Sequence, residues 1–416
     1  MESYRNGVMY LDHVSLEMLA EQYGTPLYVY SKRKIEKNVR MIQQGLQSSQ
    51  HLMCFPLRAN QSLGILSIFK QLGTGFVVGT VEELRKVLKL GADPQKITVS
   101  GVGKTKELIS QAIANNVYCI HAESWQELER IEQLGREGNK VVPVGVRINP
   151  EVDAHVHPNL ATALPGSRYG FPLREAESAC MRVFASRSME LLGVKYHLGS
   201  QVLVFEPFLE ALEKIMDIVD KLDSKGVTMK HVDVGGGIGV PRRHTDDVPG
   251  LDSWIRRIAE PIERRGLRVV CEPGRCVILD AGLLLTRVEY IKKAAGRNYL
   301  IVDASLSELV TPALYDSYHE IRSVSEGVGQ RPQRYDVVGP GTGPAETFGV
   351  ARYLPMMEQG ALLAILTTGA YGSCLSSNFA SRNLVMEIVV DGPAYAIIRE
   401  RQTLEQQVAN ERFFKD

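Results

Sequence analysis

The sequence predicts an α/β fold: a (β/α)8, TIM-like barrel followed by an antiparallel β domain. Three observations carry this. Eight short apolar runs recur between residues 50 and 275, at 52–57, 75–79, 97–100, 118–121, 143–148, 192–197, 231–234 and 268–272. Amphipathic stretches such as 81–90 and 208–225 separate them, and eight strand–helix units are the count that closes a parallel barrel. Beyond Cys276 the texture changes to short apolar runs between turn-rich pieces, which reads as antiparallel sheet. The predicted domains are a barrel over 31–275 and a β domain formed by 1–30 with 276–416. Pattern alone leaves a doubly wound open sheet as the alternative to the barrel.

Taken in order, Ser31 is placed as an N-cap, and Ile35, Val39, Ile42 and Leu46 follow at helical spacing. Pro56 sits awkwardly in the first strand, because proline removes a ladder donor. After the barrel, the runs 299–302, 361–367 and 384–390 are strand candidates. They are set between turns such as Gly339-Pro340-Gly341 and Asp391-Gly392-Pro393.

Lys+Arg and Asp+Glu both number 48, which argues against nucleic-acid or membrane-surface binding driven by bulk charge. The six cysteines form no CxxC pair, and several lie in apolar runs. They are expected to be buried free thiols in a reducing compartment. No metal is expected. The first residues lack an apolar leader segment, and no run approaches membrane-spanning length; a cytoplasmic location is the expectation.

Several motifs invite a reading. Gly101-Val102-Gly103-Lys104-Thr105 ends like a phosphate-binding P-loop, but its first glycine position is Thr98, which excludes it. Gly235-Gly236-Gly237-Ile238-Gly239 does not match the dinucleotide fingerprint, yet a glycine run after a barrel strand lets backbone N–H groups approach a phosphate. His197 ends the sixth strand run and Glu272 the eighth, at the face where barrel enzymes place their chemistry. Each alone also has a plain reading: a structural histidine, a tight turn, an ion pair within Glu272-Pro273-Gly274-Arg275, a hairpin at Gly369-Ala370-Tyr371-Gly372.

Together these segments resemble the fold-type III pyridoxal phosphate (PLP) decarboxylases, the diaminopimelate and ornithine decarboxylase group. The match extends through Tyr23-Gly24-Thr25-Pro26, Ser100 to Thr105, Arg147-Ile148-Asn149-Pro150, His197-Leu198-Gly199-Ser200-Gln201, Pro312-Ala313-Leu314-Tyr315 and Gly369 to Asn378. The resemblance implies the barrel and β-domain architecture of alanine racemases and decarboxylases. It implies that the first ~30 residues join the β domain, the barrel being of that fold's size. It also implies a head-to-tail homodimer with active sites at the interface. It assigns His197 to stack on the cofactor ring and Glu272 to pair with the pyridine nitrogen. Ser200, Gly235, Gly236, Gly237, Gly274 and Arg275 would surround the phosphate, with Tyr371 adding its hydroxyl. Tyr315, Thr311 and Glu346 are the substrate-side candidates.

The chain departs from that pattern at its reacting face. Arg58 stands at the position of the lysine that holds PLP as a Schiff base; a guanidinium stays protonated and cannot take that role. Val77 stands for an aspartate, Thr311 for an arginine before Pro-x-Leu-Tyr, and Gly343 for a substrate-binding glutamate. Thr342 stands for the catalytic cysteine. A thiol with pKa ~8.5 donates a proton near neutrality, and a threonine hydroxyl does not. Three readings follow. The first is a PLP decarboxylase holding its cofactor non-covalently and acting on a substrate other than diaminopimelate, given Thr311 and Gly343: a modified small amino acid or an aminoacyl group on a carrier protein. In the second, Lys195, two residues before His197 and on the same strand face, is a relocated anchor; its plain counterpart is a buried lysine neutralised by a carboxylate such as Glu151. The third is a pseudoenzyme that regulates or assembles with a true decarboxylase.

Overall fold

The computed structural model describes residues 2–46, 51–243, 246, 248, 250–329, 331–341, 343 and 345–414. It separates into two compact units. One comprises Lys37–Pro241 with Asp246–Cys276; the other comprises Met1–Glu36, Arg242–Thr245 and Val277–Asp416.

The first unit is the predicted parallel barrel. Its strands are β1 (Leu52–Pro56), β2 (Gly75–Val78), β3 (Ile97–Val99), β4 (Cys119–Ala122), β5 (Val142–Asn149), β6 (Met189–Lys195), β7 (His231–Asp233) and β8 (Arg268–Cys271). Each pairs in parallel with the next, and β8 pairs with β1, which closes the ring and removes the open-sheet alternative. Pro56 is tolerated because it is the last residue of β1. Helices form where expected: Ser31 Oγ accepts from Lys34 N–H at 3.2 Å, and Ile35, Val39 and Ile42 are fully buried along the helix Lys32–Gly45.

The barrel interior is divided by chemistry. One side is apolar, with Leu52, Cys54, Val77 and Val270 packed together. The other is a polar column of His121, His231, Lys195, Asp233 and Glu272, all at most 3% exposed. Glycines make room for it. In the ladder, Gly193 lies between Gly145 and His231. A Cβ at Gly145 would meet the His121 ring at 2.5 Å, and one at Gly193 would run into the His231 carbonyl oxygen. Two residues further on, Lys195 is flanked by Arg147 and Asp233. The register therefore brings an inward lysine beside an inward aspartate.

The second unit is a mostly antiparallel sheet. Leu27–Ser31 is inserted between Gly282–Ala294 (antiparallel) and Met386–Asp391 (parallel). All five residues of Leu27–Ser31 are buried. Arg297–Val302 and Gln333–Val338 are also parallel, so the sheet is mixed rather than purely antiparallel. Its core is built from Leu27, Val29, Leu283, Leu285, Ala364, Ile388 and their neighbours.

The glycine requirement is directly testable. Gly193→Ala should lower the unfolding free energy by roughly 1–3 kcal/mol, the usual cost of overpacking, read as a lower urea midpoint. An unchanged midpoint would show that the β6–β7 ladder yields without cost.

Candidate active site

The site builds from the C-terminal ends of the barrel strands. Position 58 lies on a short 3-10 turn, Leu57–Ala59, directly after β1; Leu57 and Ala59 are buried and Arg58 is exposed. Its charge is felt at both His197 and Glu272. His197 follows β6, and its Nδ1 accepts from the Gly236 backbone N–H at 3.1 Å, which fixes the ring against the glycine loop after β7. Cβ atoms at Gly235, Gly236 and Gly237 would strike the carbonyl oxygens of Tyr196, Glu272 and Gly199, so only glycine permits this close backbone packing. Arg275 Nη1 donates to Ser200 Oγ, joining the loops after β6 and β8. Gly274 lies against Pro56, whose Cγ would be 3.1 Å from an added Cβ.

The electrostatics of this cradle favour an anion at the mouth. Burial, and then the charges of Arg147, Arg58, Lys195 and Arg275, hold His197 well below the ordinary histidine range. The ring is thus neutral at pH 7, with several cationic side chains nearby. Deeper in, Lys195 Nζ lies 3.2 Å from Asp233 Oδ2 and is also paired with Glu272. Burial alone would raise the Glu272 carboxyl, but Lys195 and then Arg58 outweigh it and hold Glu272 below its usual range. Burial, and then the charge of Glu272, push Asp233 up to about 7. Thr98 Oγ1 donates to Glu272 Oε1 at 3.4 Å.

A second polar node braces the mouth. Glu123 accepts from Gly101 N–H at 2.9 Å, Gly170 N–H at 3.2 Å and Arg147 Nη1 at 3.0 Å. Buried Lys104 pairs with Glu127 at 3.1 Å and donates to the Gly101 carbonyl at 2.6 Å. The 101–105 loop is therefore pinned by its own lysine, consistent with the rejected P-loop reading.

The structure brings together His197, Ser200, Gly235, Gly236, Gly237, Glu272, Gly274, Arg275 and Arg58 in the barrel unit. Lys195 is neutralised by Asp233 and Glu272, not by Glu151, whose backbone carbonyl instead accepts from Lys214. Thr311, Tyr315, Glu346 and Tyr371 belong to the other unit. There, Thr311 Oγ1 bonds to His319 Nε2 at 2.9 Å, and buried Glu346 accepts from Leu306 N–H at 2.9 Å and Ser305 Oγ at 3.2 Å. Tyr371 is half-buried with φ +58°. Thr342 lies outside the described residues. Sequence reasoning missed Asp233 and His121. The signal available was Lys195 itself, since an inward lysine needs an inward carboxylate on a neighbouring strand.

The profile of the pyridoxal-dependent decarboxylases, pyridoxal binding domain, matches residues 32–278. The chain belongs to this family. Its cofactor is PLP, and its class is the PLP-dependent carboxy-lyases. It is 40% identical to a diaminopimelate decarboxylase of Pseudomonas aeruginosa over 98% of both chains. It superposes on the diaminopimelate decarboxylase of Helicobacter pylori complexed with L-lysine with TM-score 0.90 at 33% identity, covering 95% of this chain and 98% of the other. The enzyme from M. jannaschii, in co-complex with L-lysine, gives TM-score 0.94 at 27% identity, over 99% and 98%. Among the described residues, no helix is long and apolar enough to cross a membrane.

The residues present fit PLP on structural grounds. Cations and a hydroxyl gather at a glycine loop too tight for any Cβ, and one ionised carboxylate lies beneath them.

Burial also makes the barrel acid-sensitive. Burial, then Arg268, then Lys195, lower His231 to about 3. Unfolding therefore takes up a proton at His231 anywhere between about pH 3 and 6.5, and its stabilising contribution is lost as pH falls through that window. Asp233, with its raised pKa, works in the opposite direction. His231→Gln should flatten the loss of stability between pH 7 and 5 in urea titrations relative to the parent protein; equal slopes would mean that His231 is not held neutral.

Proposed function

We propose that the protein decarboxylates a free α-amino acid, with diaminopimelate the first candidate, using PLP held without a covalent bond to the chain. The observation that carries this reading is the intact cradle around His197, Gly235–Gly237 and Ser200–Arg275, with Glu272 ionised beneath it. The substrate class follows from the names of the relatives from P. aeruginosa and H. pylori.

When bound, PLP supplies an electron sink for the pair left behind as carbon dioxide departs. The chain does the rest. Arg275, Ser200 and the glycine loop bind the phosphate. Neutral His197, oriented by the Gly236 N–H, covers one face of the ring, and Glu272 faces the ring nitrogen. Arg58 offers no nucleophilic amine, so nothing at that position competes with the substrate's own amine for the cofactor. Its fixed charge, felt at His197 and Glu272, serves to orient an anionic group, either phosphate or substrate carboxylate.

Lys195 is not the replacement anchor in this reading. Its ammonium is held by two carboxylates, and one of them, Glu272, faces the pyridine nitrogen. Were Glu272 to pair with that nitrogen, which is para to the ring carbon carrying the aldehyde, Lys195 would stand at the end of the ring away from the reacting group. The carrier-bound reading and a substrate other than diaminopimelate rest on Thr311 and Gly343, and the regulatory reading on Arg58, Val77 and Thr342 together; the full-length diaminopimelate decarboxylase relatives support none of them. The head-to-tail homodimer remains part of the proposal and is checked by sedimentation.

The test combines retention and turnover. PLP should stay with the protein through gel filtration, yet borohydride should attach none of it to the chain. Carbon dioxide should be released from diaminopimelate in preference to lysine, ornithine or arginine. Arg58→Lys should make borohydride label position 58 and should raise turnover, because a lysine speeds exchange and product release. Loss of PLP on gel filtration would sink the cofactor assignment, and release from no amino acid would favour the regulatory reading.

A further inference from the structure

We propose that Cys119, His121 and His231 form a buried binding site for one soft, monovalent metal ion, with Cu+ as the ion tested. The site lies deeper in the barrel than the cofactor cradle and does not depend on it.

The three donors meet only in the closed barrel. Along the chain Cys119 and His121 lie far from His231, and no metal is expected there from sequence. One rung of the ladder runs His121, Gly145, Gly193, His231 across β4 to β7. The two middle strands carry no side chain at this level. The two imidazoles therefore face each other edge to face, with ring centres 6.1 Å apart. Cys119 stands two residues before His121 and points the same way. One donor atom from each of the three residues lies within 4.8 Å of the others. That is close to the spacing one ion spans with bonds of about 2.0–2.3 Å. A Cβ on Gly145 would stand 3.0 Å from His121 Nε2 and 3.1 Å from Cys119 Sγ, so the glycine keeps the space beside both donors clear. All three residues are fully buried.

The donors suit a soft cation. Burial, then Arg268, then Lys195 hold His231 as neutral imidazole, and burial, then Lys195, does the same for His121. The Tyr118 hydroxyl shares a hydrogen bond with His231 Nδ1 at 3.1 Å, while His231 Nε2 is buried without a hydrogen-bond partner. Neither nitrogen of His121 has one, and Asp233 Oδ2 stands 3.5 Å from its Nε2. Buried nitrogens without partners are costly. A water would gain little from the thiol, a weak hydrogen-bonding group, whereas a soft ion gains a strong bond to it. The thiol proton leaves to solvent as the sulfur–copper bond forms, and the copper is neither oxidised nor reduced. Charge selects the ion. Thiolate and Cu+ cancel, but a divalent ion would leave net positive charge in a dry site near Lys195 and Arg268. Asp233 does not offset it, being paired with Lys195 at 3.2 Å. Tyr118 orients His231 from behind, the usual arrangement for a ligating histidine. It also lines a pocket of about 340 Å³ with Ile120, Val142, Leu192 and Lys230, which gives a route from the N-terminal end of the barrel. The acid response of His231 is a property of the metal-free chain.

The test offers Cu+ to the full-length protein without oxygen, both folded and during refolding from urea, with bicinchoninate as competing chelator. One copper per chain should survive desalting, and X-ray absorption at the copper edge should fit one sulfur and two nitrogens. Tyr118→Phe, which removes only the hydroxyl behind His231, should weaken binding roughly 10–100-fold, and Cys119→Ser should weaken it further and remove the sulfur. Cys374→Ser, at a half-buried thiol elsewhere, should change nothing. No copper retained by either route overturns the proposal, as does a copper shell without sulfur. Undiminished binding in folded Cys119→Ser or in Tyr118→Phe, or loss of copper in Cys374→Ser, also overturns it. One zinc per chain held in preference to copper overturns the monovalent assignment. Where Cys119→Ser fails to fold, the parent's absorption spectrum and the Tyr118→Phe affinity still decide.

Discussion

The rest of the site depends on one buried ion cluster: the Lys195 ammonium between Asp233 and Glu272 inside the barrel. A charge this deep is tolerated only when paired and hydrogen-bonded. Each member is held in place by something else. Asp233 is tied to the Gly235 N–H at the start of the glycine loop after β7, Glu272 receives Thr98, and Lys195 is placed by the β6–β7 register. The geometry of the glycine loop and the charge on Glu272 are therefore coupled through the same few side chains. Removing Lys195 would leave both carboxylates without their ammonium in a medium where an unpaired charge costs several kcal/mol.

The cluster also explains why the barrel interior is split. Apolar residues fill the β1, β2 and β8 side. The imidazoles and most of the charges come from β4, β6 and β7, with Glu272 just after β8, and Gly145 and Gly193 leave room for His121 and His231. Bulk packed into those two positions would force out the rings that border Asp233. Above this layer, the Glu123 node ties Arg147 and the 101–105 loop to the mouth.

Much of the fold was legible in the sequence. All eight predicted strand runs are barrel strands, because a parallel barrel buries both faces of each strand and so leaves short, continuous apolar runs. The cradle was legible too. His197, Ser200, Gly235, Glu272 and Arg275 sit at strand ends or in the loops that follow, and the family profile spans all of them. The interior was not. His121 and Asp233 each lie within a short, strand-like run, and nothing local marks them as facing Lys195. The parallel pairings of the second sheet were likewise hidden, since turn signals report chain reversals and not which strands become neighbours afterwards.

By itself the sequence determined the number and place of the barrel strands, the glycine run and the strand-end residues gathered around it, and the absence of a lysine at position 58. Those are local properties, set by apolar periodicity, by glycine's tolerance of close backbone contact and by the chemistry of one side chain. Only the tertiary structure decided what Lys195 does. Its role depends on which carboxylates barrel closure brings within reach of its Nζ, and Glu272, at the end of β8, comes from a strand distant in sequence. Read along the chain, Lys195 is a candidate anchor. Inside the closed barrel it is the counter-ion of the carboxylate that faces the cofactor nitrogen in the proposed reading.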